Sequence, residues 1–259
     1  MSSPTLGSES IKQQVLAVIP ARYASTRFPG KMLRLLHGKP LVYHTYLRAC
    51  RAKLVGRVVV AADDTRIKDN LEALGVPVIM TRPDHPSGTD RLAEVALEAP
   101  EDIIVNVQGD EPLLDPEVVD AAVIRLASDP EVVASTACHR LTDPDDIRNP
   151  NMVKVLRDLE GNALYFTRAA APHVRDAADL SEAAAMQVYY KHIGLYVYRK
   201  DFLLQYAAMP ATPLEKLEKL EQLRILEHGY KMAVVETDYT GIGVDTPEDL
   251  KRVARFMES

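Results

Sequence analysis

A short segment between residues 21 and 31, ARYASTRFPGK, combines cations with hydroxyls directly after an apolar run. Its cations and hydroxyls are Arg22, Ser25, Thr26, Arg27 and Lys31. Arginine presents a planar fork of donors to phosphate oxygens, and lysine adds a compact positive charge. The segment matches neither the Walker A pattern GxxxxGK[ST] nor the dinucleotide pattern GxGxxG. The residue types therefore indicate a polyphosphate-binding loop of another kind, with a solvated basic loop as the alternative.

Two aspartates stand beside apolar runs elsewhere in the chain. Asp110 lies in QGDEP, and Asp245 lies in GVDTPEDL. Thr246 and Pro247 have the residue types of a helix N-cap and a first helical residue, which leaves Asp245 outside the helix without a capping role. Carboxylate oxygens together with substrate phosphates suit Mg²⁺. If Asp110 and Asp245 face each other, their carboxylates are suited to hold this metal, with a turn or cap role for each aspartate as the alternative.

The elements that position these residues follow from alternating apolar and helix-length segments. The predicted strands are 15–20, 57–62, 76–80, 102–108 and 131–137, and the predicted helices are 40–52, 65–74, 89–97 and 116–127. Strands that alternate with helices predict a predominantly parallel sheet sandwiched by helices, an α/β fold. Such sheets bind ligands beyond the carboxyl ends of their strands. The basic loop, the loop 82–90 and Asp110 all fall at such ends.

The pattern changes after about residue 138. Strand-like segments at 152–155, 163–168 and 188–199, with a Gly-Asn turn between the first two, predict an antiparallel β arm inserted in the α/β domain. Leucines three apart predict an amphipathic helix over 213–228. A strand at 231–237 and a helix from Pro247 complete the chain. We expect a disordered tail at 1–12 and a single domain at 13–259, with the arm inside 139–199.

The composition narrows the classes of partner. The formal net charge of −6 argues against a general nucleic-acid binder, which needs a basic excess. No apolar run is long enough to span a bilayer. The first ten residues, MSSPTLGSES, have neither the basic region nor the apolar core of a signal peptide. We expect a cytoplasmic protein whose partners include no nucleic acid and no membrane.

Several long motifs resemble those of the 3-deoxy-manno-octulosonate cytidylyltransferase family. In chain order they are IPARYASTRFPGK, GKP, MTRPDHPSGTDRLAEVA, VNVQGDEP, PLEKLEKLEQLR and GVDTPEDL, from about Val15 to Arg255. The resemblance implies a Rossmann-like nucleotidyltransferase fold. It also implies that the anomeric hydroxyl of 3-deoxy-manno-octulosonate (KDO) attacks the α-phosphate of CTP and expels pyrophosphate, with Mg²⁺ as cofactor. The product would serve lipopolysaccharide synthesis.

The resemblance also implies roles for particular residues. The catalytic residues would be Arg22, Lys31, Asp110 and Asp245, with the two aspartates as metal ligands. The nucleotide-binding residues would be Ala21, Arg22, Ser25, Lys31, Ser87, Gly88, Thr89 and Gln108. The sugar-binding residues would be Gln108, Arg168, His192, Tyr196, Glu221 and Gln222, of which Arg168 suits the sugar's carboxylate. The inserted region 139–199 would contribute to sugar binding and to a homodimer interface.

Other functions are compatible with parts of this pattern. A cytidylyltransferase for another acidic sugar, such as 8-amino-KDO or sialic acid, would need the same mechanism. Sugar-1-phosphate nucleotidyltransferases and metal-dependent glycosyltransferases use similar sheets. A catalytically inactive nucleotide-binding protein is the alternative outside the enzymes. The joint presence of Arg22, Lys31, Asp110 and Asp245 argues against that last alternative.

Overall fold

A sheet covered by helices on both faces forms the body of the protein. The computed structural model describes residues 8–24 and 28–258. The strands are β1 (Val15–Ala21), β2 (Leu35–Leu36), β3 (Lys39–Pro40), β4 (Arg57–Ala62), β5 (Val78–Met80), β6 (Ile103–Asn106), β7 (Val132–Leu141), β8 (Lys154–Arg157), β9 (Ala163–Thr167), β10 (Tyr189–Arg199) and β11 (Lys231–Glu236). The helices are α1 (Ser8–Lys12), α2 (Leu41–Ala49), α3 (Thr65–Glu72), α4 (Gly88–Glu98), α5 (Pro116–Ser128), α6 (Pro144–Arg148), α7 (Leu180–Ala185), α8 (Lys200–Ala208), α9 (Pro213–Glu218), α10 (Leu223–Glu227) and α11 (Pro247–Glu258).

The main sheet has the strand order β11-β7-β10-β6-β1-β4-β5. β1 pairs in parallel with β4 and β6, β4 pairs in parallel with β5, and β11 pairs in parallel with β7. β10 runs antiparallel to both of its neighbours, β6 and β7. β10 is therefore the reversed strand within an otherwise parallel order. The prediction of a predominantly parallel sheet between helices, with an antiparallel arm, is confirmed.

The antiparallel arm is smaller than the sequence predicts. β8 and β9 form a hairpin, and β8 meets β10 where Lys154 pairs with Lys191. The sequence assigns residues 188–199 to the arm, but Tyr189–Arg199 instead form β10 in the middle of the main sheet. The alternation of aromatic and polar residues is the same for an arm strand and for a sheet strand, so this pattern alone does not separate them.

The core consists of two apolar layers, one on each face of the sheet. Along β1, Val15, Ala17 and Ile19 pack into the layer that contains α2, α3 and α5. Leu16 and Val18 pack into the opposite layer, which contains α4, α8 and α10. Successive side chains of a strand point to opposite faces, so a central strand buried on both faces needs an unbroken apolar run. Polar side chains are consequently concentrated in the loops at the strand ends.

The N-terminal region corrects one prediction. Residues 8–12 form helix α1, where the sequence predicts part of a disordered tail. Ile11 packs against the apolar layer that contains Val15. This contact gives the short helix a tertiary partner, which helices of this length need. Residues 1–7 of the predicted tail lie outside the described residues.

The leucine-rich segment corrects another prediction. Residues 213–228 form two short helices, α9 and α10, and not one helix. Lys219 ends α9 in the left-handed conformation, with φ 56° and ψ 48°. On a helix with 3.6 residues per turn, leucines three apart rotate by about 60° per repeat and cannot share one face. After the break, Leu220 and Leu223 are buried while Leu217 remains exposed.

Candidate active site

Lys31 brings the two predicted carboxylates together. Its Nζ donates hydrogen bonds to Asp110 Oδ2 at 2.6 Å and to Asp245 Oδ1 at 3.1 Å. Burial opposes the charge of this ammonium group, but the two carboxylates outweigh burial and raise the pKa of Lys31. The lysine is 8% exposed. The Lys31 ammonium group is therefore fixed at the carboxyl edge of the sheet, between two carboxylates that are distant in sequence.

The turn before Lys31 fixes the direction of its side chain. Gly30 has φ 65°, a conformation that favours glycine, and its N–H donates to the Tyr23 carbonyl at 3.3 Å. Lys31 then begins a single 3₁₀ turn, Lys31–Leu33. Tyr23 is itself held, because its N–H donates to Asp63 Oδ1 at 3.0 Å and the Arg66 guanidinium lies 3.4 Å from its ring centroid. The basic loop thus has a defined path on both sides of residues 25–27.

The loops of the two aspartates are joined by their backbones. Gly109 passes close to β1, where a Cβ atom would lie 3.0 Å from the Pro20 carbonyl oxygen. This close approach sets the position of the next residue, Asp110. The Val244 N–H donates to the Asp110 carbonyl at 2.9 Å, which places Asp245 next to the same loop. The convergence of the carboxylates is therefore built into the backbone as well as into the contacts with Lys31.

The capping role predicted for Thr246 is confirmed. The Asp249 N–H donates to Thr246 Oγ1 at 3.1 Å, and the Thr246 N–H donates to Asp249 Oδ2 at 3.1 Å. This reciprocal pair satisfies two N–H groups at the start of α11. Asp245 precedes the cap, and its carboxylate contacts Lys31 instead.

The donors at this point fit a divalent cation. Within the described residues, no group of three or more His, Cys, Asp or Glu side chains forms a metal site. Mg²⁺, however, is commonly held by one or two carboxylates together with substrate phosphates and water. The Asp110 and Asp245 side chains already converge on one cation, the Lys31 ammonium, and they are 23% and 48% exposed. Phosphate oxygens are able to complete such a site.

Positive charge also accumulates at the end of β1. Ala21 is buried in the last position of that strand, where it pairs with Ala62 of β4, and Arg22 follows it. Burial lowers the pKa of the nearby Arg91, and the charge of Arg22 lowers it further, while Asp63 opposes both effects. An anion bound here would reduce the repulsion between the two guanidinium groups.

A cavity of about 420 Å³ opens at the same edge of the sheet. The predicted binding residues that line it are Gly88, Thr89, Gln108, His192, Tyr196, Glu221 and Gln222. They come from α4, from the loop after β6, from β10 and from the turn between α9 and α10. Gln108 is two residues before Asp110, so one loop joins the cavity to the carboxylates. The structure thus assembles most of the predicted site at one edge of the sheet.

Ser87 and Thr89 have different positions at the start of α4. Ser87 is the N-cap, and its Oγ accepts from the Asp90 N–H while the Asp90 carboxylate accepts from the Ser87 N–H. Thr89 lines the cavity, and its Oγ1 donates to Glu221 Oε2 at 2.8 Å. This bond joins α4 to the turn that follows Lys219. Ser25, predicted to bind nucleotide, lies outside the described residues.

His192 is a buried, neutral donor or acceptor in the cavity wall. Its Nε2 lies 2.9 Å from Thr136 Oγ1, and its ring meets the Phe166 ring edge-on with centroids 4.9 Å apart. Burial, with a smaller effect of the Lys191 charge, lowers the pKa of His192 to about 3. Burial and the charge of Glu221 raise the pKa of Tyr196. Near neutral pH the imidazole is therefore uncharged and the phenol keeps its proton.

The chain is similar in sequence to known cytidylyltransferases. Residues 16–234 match the family model described as cytidylyltransferase. A 3-deoxy-manno-octulosonate cytidylyltransferase from Syntrophotalea carbinolica is 54% identical over 245 residues, which cover 94% of this chain and 98% of that protein. The protein of the same name from Geobacter sulfurreducens is 54% identical over 248 residues, which cover 94% of this chain and 99% of that protein. The chain belongs to the 3-deoxy-manno-octulosonate cytidylyltransferase family.

A solved structure agrees with this membership. The structure of a CMP:2-keto-3-deoxy-manno-octonic acid synthetase complexed with CTP superposes with a TM-score of 0.88 at 40% identity. The match covers 95% of this chain and 98% of the other. The Rossmann-like nucleotidyltransferase fold predicted from the sequence is thereby confirmed for this cytidylyltransferase.

Arg168 of this cytidylyltransferase lies apart from the cavity lining. Its Nε donates to the Glu218 carbonyl at 2.7 Å, and its Nη1 donates to the Pro150 carbonyl at 2.9 Å. Its guanidinium therefore holds the end of α9 against the loop before β8. The contact predicted between Arg168 and the sugar's carboxylate stays a prediction.

Several cavity residues were not found from the sequence. They include Asn106, Asn151, Lys191 and Lys219. Asn106 has a visible signal, since it is the polar residue in the run IIVNV. Lys219 has none, because its place at the cavity depends on the break between α9 and α10.

None of the helices in the described part of the chain has the length and apolar character of a membrane span.

Proposed function

We propose that this cytidylyltransferase transfers CMP from CTP to the anomeric hydroxyl of KDO and releases pyrophosphate, which activates KDO for lipopolysaccharide synthesis. The observation that carries the proposal is the contact of Lys31 with Asp110 and Asp245, together with a polar cavity whose lining includes Gln108, two residues before Asp110. The relatives' names give the same reaction class and the same sugar. This edge of the sheet offers basic side chains to the triphosphate of one substrate and polar side chains to the sugar acid that is the other.

The triphosphate meets the positive charges of the basic loop. Lys31 and Arg22 oppose the negative charge that builds on the phosphates during substitution at the α-phosphorus. Lys31 lies where the two carboxylates converge, next to the position that we propose for the cation. Gly88, Thr89 and Gln108 offer backbone and side-chain hydrogen-bonding groups to the cytosine and ribose. Fixed groups of this kind discriminate between nucleobases.

We infer that the cofactor is Mg²⁺, held by Asp110 and Asp245. When bound, this ion would neutralise phosphate charge and favour ionisation of the attacking hydroxyl. The protein's own residues then align the two substrates, since a phosphoryl-type transfer requires positioning and charge neutralisation more than covalent participation.

The sugar occupies the other half of the cavity. The neutral imidazole of His192, the protonated phenol of Tyr196 and the polar side chains of Glu221 and Gln222 suit hydroxyl groups. His192 and Tyr196 keep these protonation states across the physiological range, because burial moves the pKa of each group away from neutrality. Hydroxyl recognition therefore does not depend on small changes of pH.

We also infer that the protein is a homodimer. The β8–β9 arm exposes Leu159 and Leu164, two large apolar side chains. Light scattering of the wild-type protein and of Leu164→Asp tests this inference, with a dimer expected for the wild type and dissociation expected for the variant. The cytoplasmic location stays a prediction.

Pyrophosphate release tests the proposed reaction. CTP or UTP is combined with KDO, 8-amino-KDO or sialic acid in the presence of Mg²⁺, and release is expected with CTP and KDO. Asp110→Asn is compared with Asp115→Asn, which makes the same chemical change at the N-cap of α5. Only the first variant should lose activity. Release with another acidic sugar would correct the substrate, and no release from a folded protein that binds CTP would favour the inactive binding protein.

A further inference from the structure

Asn106 is a buried polar residue at the end of an apolar strand. It is 4% exposed, and it follows Ile103, Ile104 and Val105 in β6. Within the described residues, its Oδ1 atom is buried and has no hydrogen-bond partner. A buried acceptor without a partner loses its interaction with water and gains none from the protein, so it destabilises the fold.

Several fully buried polar side chains of the same sheet have partners. Ser135 donates to the Ala122 carbonyl at 2.6 Å, and Thr136 donates to the Leu195 carbonyl at 2.7 Å. Lys154 donates to main-chain carbonyls. The unpaired oxygen of Asn106 thus differs from these three side chains, although His85 Nδ1, Arg91 Nε and His139 Nε2 are also buried without a partner within the described residues.

The position of Asn106 explains the unpaired oxygen. The residue lines the 420 Å³ cavity, and its Cα pairs across the sheet with that of Tyr196. Tyr196 and the neighbouring His192 belong to the half of the cavity that we assign to the sugar. A ligand group that enters this half lies beside the side-chain amide, which offers two donors and an acceptor. Because Oδ1 is buried in the ligand-free protein, contact with it requires the amide to turn toward the cavity.

We propose that Asn106 binds a hydroxyl group of the acidic sugar, and that the sugar supplies the partner which folding leaves out. The inference rests on the proposed function, because it takes the substrate in this half of the cavity to be a polyhydroxylated acid. The buried amide then acts in specificity. A ligand without a hydroxyl at this position leaves the amide unpaired, so the site discriminates against it.

The assignment predicts opposite effects on stability and on sugar binding. Asn106→Leu keeps the approximate shape of the side chain and removes the unpaired acceptor, so the ligand-free protein should unfold at a higher temperature. The same variant cannot form a hydrogen bond with the sugar. Its KM for the sugar should therefore rise about tenfold or more, while its KM for CTP stays within about twofold.

Asn162 provides a matched control, because its buried side-chain amide is paired within the protein. Asn162 is also 4% exposed, but its Oδ1 accepts from Arg125 at 3.0 Å and its Nδ2 donates to Asp158 at 3.1 Å. It lies in the turn between β8 and β9, away from the cavity lining. Asn162→Leu should lower the unfolding temperature and leave the KM for both substrates unchanged.

The experiment measures thermal unfolding of the ligand-free proteins, steady-state KM values, and calorimetric binding of KDO to the full chain. A stabilised Asn106→Leu with weakened KDO binding supports the proposal. Destabilisation with unchanged KDO binding overturns it, and so does a change in the KM for CTP in place of the sugar. If the wild type binds KDO without turnover and Asn106→Leu does not bind it, the proposed reaction fails and the role of Asn106 stands. A wild type that binds no KDO overturns both.

Discussion

His192 should make the folded protein lose stability as the pH falls below 6.5. Its imidazole is enclosed in the cavity wall, and burial together with the Lys191 charge lowers its pKa from 6.5 to about 3. Between these values the unfolded chain binds a proton that the folded protein does not bind. The stabilisation due to the neutral imidazole is therefore complete above pH 6.5 and is lost progressively as the pH falls toward 3.

The size of the effect follows from the two pKa values. Each pH unit below 6.5 costs about 1.4 kcal/mol of unfolding free energy until the folded imidazole also titrates. At pH 5 the loss from His192 is about 2 kcal/mol relative to pH 7.5. Burial also lowers the pKa of His44 and His139, and these residues add to the acid sensitivity of the wild type.

The variant His192→Asn isolates the contribution of the imidazole to the pH dependence of stability. Asn does not titrate and is able to hydrogen-bond the Thr136 hydroxyl, while His44 and His139 are the same in both proteins. Urea unfolding of the wild type and of His192→Asn is measured at pH 7.5 and at pH 5.0. Between these two pH values the wild type should lose about 2 kcal/mol more unfolding free energy than the variant. His173→Asn, at an exposed site, should follow the wild type. Parallel stability curves for the wild type and His192→Asn would refute the reasoning.

Further predictions concern three lysines. Lys31→Ala should lower turnover by about 10²-fold or more, because it removes a held charge from the phosphates, and near-normal pyrophosphate release would contradict its role. Lys219→Gly should stabilise the protein by about 1 kcal/mol in urea unfolding, because glycine adopts φ 56° without strain, and a loss of stability would contradict this. Lys154→Met should destabilise it by roughly 3 kcal/mol, because the carbonyls of Asn149, Met152 and Arg168 lose their donor, and an unchanged urea midpoint would contradict this.

Local sequence patterns were sufficient to predict most strands of the main sheet and most of the helices that cover it. The runs at 15–20 and 57–62 correspond to β1 and β4, because short apolar runs between turn residues have few other structures. The place of β10 was not accessible in this way, since pairing with β6 and β7 is a long-range property. The break at Lys219 was missed because leucine spacing was interpreted as one helix, although a three-residue repeat cannot keep one face.

The site shows the same division between local and tertiary information. The sequence pattern places Asp110 after a predicted strand and Asp245 outside a helix cap, and the resemblance to the family joins both with Lys31 in one site. Asn106 was missed because its meaning depends on which face of β6 borders the cavity. The resemblance implies that Arg168 binds the sugar, and this stays a prediction. Its guanidinium is bonded to backbone carbonyls whose positions only the folded chain determines.

Identification of the reaction product tests the central claim most directly. The purified protein is incubated with CTP, KDO and Mg²⁺, and the nucleotide products are analysed by mass spectrometry while pyrophosphate is quantified. A CMP ester of KDO formed in equal amount to pyrophosphate is the predicted result. CDP with inorganic phosphate, CMP without a sugar ester, or no product from a protein that binds both substrates would contradict the account.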